Sequence, residues 1–307
     1  MKILVTGGAG FIGSHVADAF VAAGHDVVVL DDLSSGKRAN VPAAARFHQV
    51  DVQDADAVAA LFRAERPEIL CHHAAQMDVR RSVADPAFDA RVNLLGLLNL
   101  MENGRANGLR RVVLASTGGA IYGEQDCFPA PESHATNPLS PYGVAKLASE
   151  RYLYFYAQQY GIAYVALRYA NVYGPRQNPH GEAGVVAIFI EKMLRGEQPV
   201  INGPGTQTRD YVFVGDIVRA NLAAVATEFC GALNLGTGVE TDVNTIFREL
   251  VRLGGFPTAE EHGPAKPGEQ QRSVIDAGLA ARVLGWRPEV DLATGLGRTL
   301  AWFRDRV

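Results

Sequence analysis

The chain has 307 residues, of which 48% are hydrophobic and 20% are charged, and its formal net charge is −4. This length allows one or two domains with a sizeable core. The charge gives no reason to expect nucleic acid or an anionic membrane as a partner. No apolar run reaches the roughly 18–20 residues that span a bilayer. Cys71, Cys127 and Cys230 are widely spaced, which predicts no metal-ligand cluster and indicates reduced thiols in a cytoplasmic protein.

Short apolar runs alternate with amphipathic stretches through the first half of the chain. The apolar runs predict strands over residues 2–6, 26–31, 45–51, 68–74, 110–116 and 163–169. The amphipathic stretches predict helices over residues 11–23, 54–65, 82–106 and 143–160. Because the strands are apolar on both faces, the alternation predicts an α/β fold with a Rossmann-like, doubly wound parallel sheet.

The pattern of predicted helices and strands changes near residue 175. Loop-rich runs such as "NGPGTQTRD" follow, with helical patterns separated by single short strands. We therefore expect one domain over 1–174 and a smaller C-terminal α/β lobe over 175–307, with some crossing of the chain between them.

A glycine-rich turn separates the first predicted strand from the first helix. The run "TGGAGFIGSH" places Gly7, Gly10 and Gly13 directly after the strand and at the opening of the helix. Glycines there let the backbone approach a pyrophosphate, to which the helix N-terminus offers free N–H groups and a favourable dipole. The context predicts a dinucleotide-binding domain over 1–174.

Two aspartates end the next predicted strands. Asp31 follows the glycine turn by about 20 residues, where a carboxylate binds the ribose hydroxyls of a dinucleotide. An acidic residue there repels a 2′-phosphate and favours NAD over NADP, although Lys37 and Arg38 lie nearby. The alternative for Asp31 is a solvated turn residue. Asp51 is placed either for the adenine amino group or as the cap of the following helix.

The run "SPYGVAK" places Tyr142 and Lys146 four residues apart, on one face of a helix that Pro141 suits at its first turn. A tyrosine with an ordinary pKa near ~10 is a poor base at neutral pH. A neighbouring ammonium and a cationic nicotinamide would lower that pKa. The pair therefore predicts a catalytic base and its partner, although the same spacing occurs on ordinary exposed helices.

Together these residues resemble the extended short-chain dehydrogenase/reductases and, more narrowly, the UDP-glucose 4-epimerase family. The resemblance covers nearly the whole chain and is carried by "TGGAGFIGSH", "LDDLSSGK", "HHAAQMDVRRSV", "STGGAIYGE", "SPYGVAK", "LRYANVYGPRQ", "RDYVFVGDIV", "LNLGTG" and "KPGEQQRSVIDAGLAARVLGW". It implies NAD-dependent interconversion of UDP-glucose and UDP-galactose by oxidation at C4, rotation of the 4-keto sugar and re-reduction. It further implies a retained NAD and a homodimer formed through the helices at 82–106 and 143–160. The aromatic run at 150–160 is itself predicted to be mostly core.

The resemblance also assigns roles residue by residue. Tyr142 is the implied base, Lys146 its partner, and a hydroxyl of the "ST" at 116–117 their hydrogen-bonding companion. Besides that pair and the three loop glycines, the implied cofactor-binding residues are Phe11, Ile12, Asp31, Asp32, Ser34, Ser35, Gly36, Asp51, Val52, Ala74, Ala75, Gln76 and Asn93. The implied substrate-binding residues are Thr117, Asn171, Val185, Arg209, Arg272 and Ser273. The two arginines suit the phosphates of UDP, and the alternative is that they form surface ion pairs.

The run "STGGAIYG" departs from the pattern of the family. The usual hydroxyl position falls on Gly118, so Thr117 is the expected substitute, and Ser116 is expected to point into the core. Related dehydratases carry an Asp-Glu pair where this chain has Gly118 and Gly119, and related decarboxylases carry a glutamate at Ala120. Elimination and decarboxylation therefore lack their acids, and epimerisation remains.

The substrate stays open at this point. Relatives restricted to non-acetylated sugars tend to carry a tyrosine at the position of Ser273, so a small residue leaves room for UDP-GlcNAc and UDP-GalNAc. UDP-glucuronate would need a cation such as Arg81 or Arg176. A catalytically silent protein that binds NAD and a nucleotide sugar is a further alternative, which retention of Tyr142 and Lys146 disfavours. A net dehydrogenase would release NADH.

Overall fold

The computed structural model describes residues 1–179, 184–265 and 270–306. The strands are β1 (Lys2–Thr6), β2 (Asp26–Asp31), β3 (Arg46–Gln49), β4 (Ile69–His72), β5 (Arg111–Thr117), β6 (Ala163–Tyr169), β7 (Asn171–Tyr173), β8 (Ile201–Asn202), β9 (Thr208–Arg209), β10 (Tyr211–Phe213), β11 (Gly231–Leu235), β12 (Thr241–Asp242) and β13 (His262–Gly263). The α-helices are α1 (Phe11–Ala22), α2 (Ala55–Glu65), α3 (Val79–Ala84), α4 (Pro86–Ala90), α5 (Gly96–Ala106), α6 (Pro141–Tyr160), α7 (Val185–Leu194), α8 (Val214–Ala224), α9 (Val243–Gly254), α10 (Gly278–Leu284) and α11 (Leu292–Arg304). A 3₁₀ turn (Arg38–Asn40) and a π-helical turn (Arg91–Leu95) complete the described elements.

The centre of the molecule is a parallel sheet of seven strands in the order β11-β6-β5-β4-β1-β2-β3. The order reverses between β1 and β4, as in a doubly wound fold. Apolar clusters cover both faces of the sheet, which explains why its strands are apolar throughout. The predicted fold class and all six predicted strands are confirmed, although some strands are shorter in the structure than predicted.

The seventh strand, β11, comes from the C-terminal half of the chain and pairs with β6. Residues of α8 and α10 belong to one of the two apolar clusters that cover the faces of the central sheet. A separate apolar cluster gathers α7, α9 and α11 around the short sheets of the C-terminal half. The proposed boundary between residues 174 and 175 remains a prediction, and β11 lies beyond it in sequence but within the central sheet.

The single helix predicted over 82–106 is wrong, because the structure divides this segment into α3, α4, the π-helical turn and α5. Asp85 ends α3 and caps α4, accepting a hydrogen bond from the Phe88 amide at 2.9 Å. Pro86 follows at the first helical position, where its missing N–H costs nothing. The chain therefore restarts a helix at Pro86 instead of continuing one.

Helix α6 carries the Tyr-x-x-x-Lys run and is 20 residues long. The Ser140 hydroxyl caps it by accepting a hydrogen bond from the Gly143 amide at 3.1 Å, and Gly161 ends it in the left-handed region, at φ +69°. The prediction that its aromatic run is mostly core is wrong. Tyr156 is buried, whereas four other aromatic residues are 41–54% exposed: Tyr152, Tyr154, Phe155 and Tyr160. Among the helices of the described ranges, none is long and apolar enough to cross a membrane.

Candidate active site

The glycine turn closes the carboxyl end of β1 against the chain that follows β4. Gly7 has φ +67°, and a Cβ atom there would lie 2.6 Å from the Ala74 amide nitrogen. Only glycine meets both conditions. Helix α1 begins at Phe11 and Ile12, after the cap residue Gly10, and has no acidic residue in its first turn. Its terminal N–H groups and dipole therefore suit a bound diphosphate.

Asp31 joins the turn after β2 to the glycine loop. Its two carboxylate oxygens accept hydrogen bonds from the amides of Ala9 and Leu33, each at 2.9 Å. Burial raises the pKa of this carboxyl, against those two hydrogen bonds. Asp31 is thus buried, and the solvated-turn alternative does not hold. Beside it, Asp32 accepts hydrogen bonds from the Ser34 amide and hydroxyl.

The remainder of this turn packs closely on the glycine loop. A Cβ atom on Gly36 would lie 2.9 Å from both the Ala9 side chain and an Asp31 oxygen, so the turn approaches the loop as closely as glycine allows. Ser35 lines a cavity of about 300 Å³ that also borders Ala9, Gly10 and Phe11. These contacts hold the turn that follows Asp31 against the glycine loop.

Asp51 and Val52 follow β3 at the same edge of the sheet. Asp51 accepts a hydrogen bond from the Gln53 amide at 2.9 Å. The cap of α2 is Asp54, which accepts from the Ala57 amide, so the capping alternative for Asp51 does not hold. Val52 is buried. Both residues lie one strand beyond Asp31, where the base of a bound dinucleotide would continue.

The segment Ala74–Gln76 is held by a buried polar network under the site. The Gln76 amide donates to Asn93 Oδ1 at 2.9 Å, and Asn93 Nδ2 donates to the Gln76 carbonyl at 2.8 Å. Asp89 Oδ1 accepts from Asn93 Nδ2 and from Gln76 Nε2, at 2.9 and 3.1 Å. Sequence reasoning missed Asp89. Its signal is the i, i+4 spacing to Asn93, which was available on the helix predicted over 82–106.

Asp89 carries a second carboxylate oxygen that has no hydrogen-bond partner among the described residues. The residue is 1% exposed, and burial raises the pKa of its carboxyl, while Lys146 acts in the opposite direction. An unpartnered buried oxygen is costly unless an opposite charge stabilises it. Asp89 is therefore electrostatically part of the Tyr142–Lys146 site.

Tyr142 and Lys146 lie together on the first turns of α6. Lys146 Nζ is 5.8 Å from the centre of the Tyr142 ring and donates a hydrogen bond to the Ala115 carbonyl at 2.9 Å. Burial lowers the pKa of Lys146 to about 8, although the carboxylates of Asp89 and Glu150 act to raise it. The lysine is thus poised to lose or keep its proton near neutral pH.

In the protein without a bound nicotinamide, the pKa of Tyr142 lies above its ordinary value. Burial raises the pKa of this phenol, and the Asp89 carboxylate raises it further. Desolvation disfavours the phenolate more than one neighbouring ammonium favours it. The phenol would become a base at neutral pH only with a further positive charge next to it, which a cationic nicotinamide would provide.

The end of β5 directs two adjacent hydroxyls in different directions. Ser116 is buried and donates to Glu150 at 2.6 Å, as expected for a residue that points into the core. Thr117 Oγ1 accepts a hydrogen bond from the Ala120 amide at 3.1 Å. A Cβ atom on Gly119 would lie 3.9 Å from that Oγ1 and 3.8 Å from Asn171 Oδ1, so Thr117 and Asn171 border the same space.

Gly118 does not point into that space. A Cβ atom built there would lie 2.6 Å from the Cδ1 atom of Ile275, in a small apolar cluster. A side chain at position 118 would therefore point at Ile275, away from the space that Thr117 and Asn171 border.

The two predicted phosphate-binding arginines lie on neighbouring segments. The Thr208 amide donates to the Gln271 carbonyl at 2.9 Å, which places Arg209 beside the loop that carries Arg272. Arg272 Nε donates to Glu240 at 2.9 Å, and its guanidinium lies 3.7 Å from the centre of the Phe128 ring. Arg272 thus does form an ion pair at a partly exposed position.

Ser273 is buried next to Arg272. Val185 opens α7 directly after Gly184. Of the run "KPGEQQRS", residues 266–269 lie outside the described residues. The structure thus brings Thr117 and Asn171 to the border of one space, and the C-terminal half supplies the segments that carry the two arginines.

A glycine-loop Rossmann sheet with a Tyr-x-x-x-Lys helix defines a short-chain dehydrogenase/reductase type of enzyme. The family model described as "NAD dependent epimerase/dehydratase family" matches residues 3–236, so this chain belongs to that family. The chain is 45% identical over 312 residues to the UDP-glucose 4-epimerase of Mycolicibacterium smegmatis, covering 100% of this chain and 99% of that protein.

Solved structures agree with this assignment. The UDP-glucose 4-epimerase of Thermotoga maritima, solved with UDP-glucose, is 48% identical with a TM-score of 0.97, covering 99% of each chain. The UDP-glucose 4-epimerase of Thermus thermophilus, solved in complex with NAD, is 45% identical with a TM-score of 0.95, covering 100% of each chain.

Proposed function

We propose that this protein interconverts UDP-glucose and UDP-galactose, and that it does so with NAD as its cofactor. The observation that carries the proposal is the placement of Tyr142 and Lys146 together on α6, with Lys146 bonded to the Ala115 carbonyl of β5 at the sheet edge that bears the glycine loop. The near full-length similarity to UDP-glucose 4-epimerases supports this substrate over the alternatives. The chain is an isomerase, since the net reaction only inverts one carbon.

The residues present fit NAD. A Cβ atom on Gly7 would clash with the Ala74 backbone, so the turn requires glycine there. The N-terminus of α1 can receive the diphosphate, and the buried Asp31 can receive the ribose hydroxyls. Asp51 and Val52 would border the adenine, while Ala74–Gln76 and Asn93 would support the nicotinamide half. When bound, NAD would serve as the hydride carrier, since it can accept the hydride from C4 of the sugar and later return it.

Tyr142 would act as the base on the 4-hydroxyl. In the oxidation half it removes the hydroxyl proton, and in the reduction half it returns a proton to the 4-keto oxygen. Lys146 stabilises the phenolate, and Thr117 holds the sugar oxygen by a hydrogen bond. The configuration at C4 inverts when the keto sugar turns its other face to the hydride carrier between these halves, and Tyr142 serves both halves because the proton that it removes in the first is the one that it returns in the second.

The C-terminal half would hold the nucleotide. Arg209 and Arg272 lie on loops joined by a backbone hydrogen bond, and guanidinium groups suit diphosphate oxygens. Asn171 and Val185 would contact the rest of the nucleotide sugar. These contacts fix UDP, so the sugar can rotate about its phosphate link without leaving the site.

We further propose that the protein is a homodimer and acts in the cytoplasm. The exposed aromatic residues of α6, together with Leu95 at 55% exposure, form an apolar surface that a second copy would cover. The three cysteines are unpaired, which suits a reducing compartment.

The deciding experiment incubates purified protein with UDP-galactose and no added NAD, and separates the sugars by chromatography while NADH absorbance is followed. We expect a mixture of UDP-galactose and UDP-glucose without NADH accumulation, and loss of turnover in Tyr142→Phe. Steady NADH accumulation would instead identify a net dehydrogenase. Absence of turnover after NAD is supplied, with NAD still bound, would identify a silent binding protein.

Position 273 tests the breadth of the substrate. Ser273 is small and buried next to Arg272, so Ser273→Tyr should remove turnover of UDP-GalNAc, if the wild type has it, while sparing UDP-galactose. Equal loss on both sugars would contradict this role. Arg176 pairs with Asp18 at 2.7 Å, and Arg81 lies over the Phe88 ring, so each already interacts within the chain, as Arg272 does. The similarity to UDP-glucose 4-epimerases, and not these contacts, disfavours a uronate substrate.

A further inference from the structure

Asp126, Cys127 and His134 bring three metal-binding atoms together on the loop between β5 and α6. The carboxylate oxygen, the thiol sulfur and an imidazole nitrogen all lie within 4.8 Å of one another. Asp126 Oδ1 is 2.8 Å from His134 Nε2. Around a tetrahedral Zn²⁺ with bonds of about 2.0–2.3 Å, ligand atoms lie roughly 3.3–3.8 Å apart. The three side chains therefore need only small movements to share one ion.

His134 is already oriented as a metal ligand. Its side chain is 4% exposed and packs edge-on against Tyr122, with ring centres 5.5 Å apart. Nδ1 lies 2.7 Å from the Ala135 carbonyl, to which it donates, while Nε2 accepts from the Asp126 amide at 3.1 Å. Ligating histidines usually donate their other ring N–H to a carbonyl in this way. The Nε2 lone pair is thus directed towards Asp126, and an ion would replace the Asp126 amide as its partner.

The contact between Asp126 and His134 favours a cation. Asp126 Oδ1 lies 2.8 Å from His134 Nε2, so a carboxylate oxygen and an imidazole nitrogen already face each other and could bind one ion together. Cys127, which is exposed beside them, adds a soft third ligand of the kind that Zn²⁺ takes.

We propose that Asp126, Cys127 and His134 form a binding site for one Zn²⁺ ion, with water in the fourth position. Thiolate, imidazole and carboxylate are the ligands Zn²⁺ takes, and the exposed side of the cluster leaves room for water. No step of the proposed reaction uses these residues. The site borders Phe128, on which Arg272 stacks, so the ion would lie beside the proposed phosphate-binding loop. Only the statement that the ion would lie beside a phosphate-binding loop rests on the proposed function.

The test titrates the tag-free, full-length protein with Co²⁺ in the absence of nucleotide sugar. We expect one Co²⁺ per chain, with a thiolate-to-cobalt charge-transfer band and the visible bands of four-coordinate cobalt, all displaced by Zn²⁺. Cys127→Ser should remove the charge-transfer band and weaken binding at least tenfold, and Asp126→Asn should weaken it. Cys230→Ser is the matched control, because Cys230 is also exposed and lies outside the cluster.

Asp126 and Cys127 are exposed, so these variants should keep the wild-type melting temperature without metal. With Zn²⁺ added, the melting temperature should rise for the wild type and for Cys230→Ser, and should not rise for Cys127→Ser. The proposal is overturned if Cys127→Ser gives the wild-type spectrum and affinity. It is equally overturned if the wild type takes up no Co²⁺, or if binding is lost in Cys230→Ser.

Discussion

At the scale of single residues, the electrostatic balance of the site depends on Asp89. Its carboxylate raises the pKa of both Lys146 and Tyr142, although it contacts neither of them through a described hydrogen bond. It opposes the effect of burial on the lysine and adds to the effect of burial on the phenol. One carboxylate therefore raises the pKa values of both groups, which the reaction needs in opposite protonation states.

Asp89→Asn should move the pH profile of kcat to lower pH. The acid limb reports formation of the Tyr142 phenolate, and the alkaline limb reports loss of the Lys146 proton, whose pKa burial has lowered to about 8. Removing the Asp89 charge lowers both pKa values, so both limbs should shift to lower pH. The profile is measured as kcat against pH with UDP-galactose.

Asparagine keeps the Oδ1 acceptor for Gln76 and Asn93, so the fold of the site should be preserved. Asp85→Asn is the control, since it removes an exposed charge next to the same helix and retains an N-cap. A lower kcat with unmoved limbs would show that Asp89 has only a structural role.

Single residues were predictable where a local rule defines them. The glycine turn and the i, i+4 pair follow from spacing alone, and Asp31 follows from the end of its strand. The packing of Gly118 against Ile275 does not follow from such a rule, because Ile275 lies far along the chain. The raised pKa of Tyr142 could not be predicted either, since it depends on burial by several elements.

At the scale of elements, a buried ion pair fastens α6 to the central sheet. Arg168 on β6 donates to both oxygens of Glu150 on α6, at 3.0 and 2.7 Å, and both side chains are 7% exposed. Ser116 on β5 donates to the same carboxylate, and Tyr122 accepts from Arg168. The pair fixes the helix that carries Tyr142 and Lys146 against the end of β5.

Arg168→Met should destabilise the protein by about 3–5 kcal/mol, because it leaves the Glu150 charge buried without its partner. Arg110→Met is the control, since Arg110 pairs with Glu68 at the surface, where such a pair contributes about 0–1 kcal/mol. The free energy of unfolding in urea measures both. Adding Glu150→Gln to Arg168→Met should recover stability, whereas a loss below about 1 kcal/mol in the single variant would contradict the argument.

Elements were predictable in proportion to how local their signals are. Six strands follow from apolar runs bounded by turns. The break at Asp85–Pro86 was missed because the apolar periodicity of 82–106 continues across it, while capping and proline chemistry decide the outcome. The place of β11 in the main sheet depends on pairing with β6, which lies far away in sequence and leaves no local trace.

At the scale of the whole molecule, α6 leaves an apolar surface that the single chain does not cover. Tyr152 and Phe155 lie one turn apart and are 41% and 47% exposed, and Leu95, in the π-helical turn that packs on α6, is 55% exposed. Aromatic residues are typical of the centre of a protein interface. A second copy related by a two-fold axis would bury this surface against itself.

Phe155→Glu should convert the proposed dimer to a monomer. A two-fold axis would place two such carboxylates in one interface, where each loses water without gaining a partner, at a cost of several kcal/mol. Sedimentation velocity at micromolar concentration should show the wild type as a dimer and the variant as a monomer. Val239→Glu is the control, because Val239 is also apolar and 60% exposed but lies after β11, away from α6. A monomeric wild type, or a variant that still dimerises, would mean that α6 faces solvent, and its aromatic surface would then need another explanation.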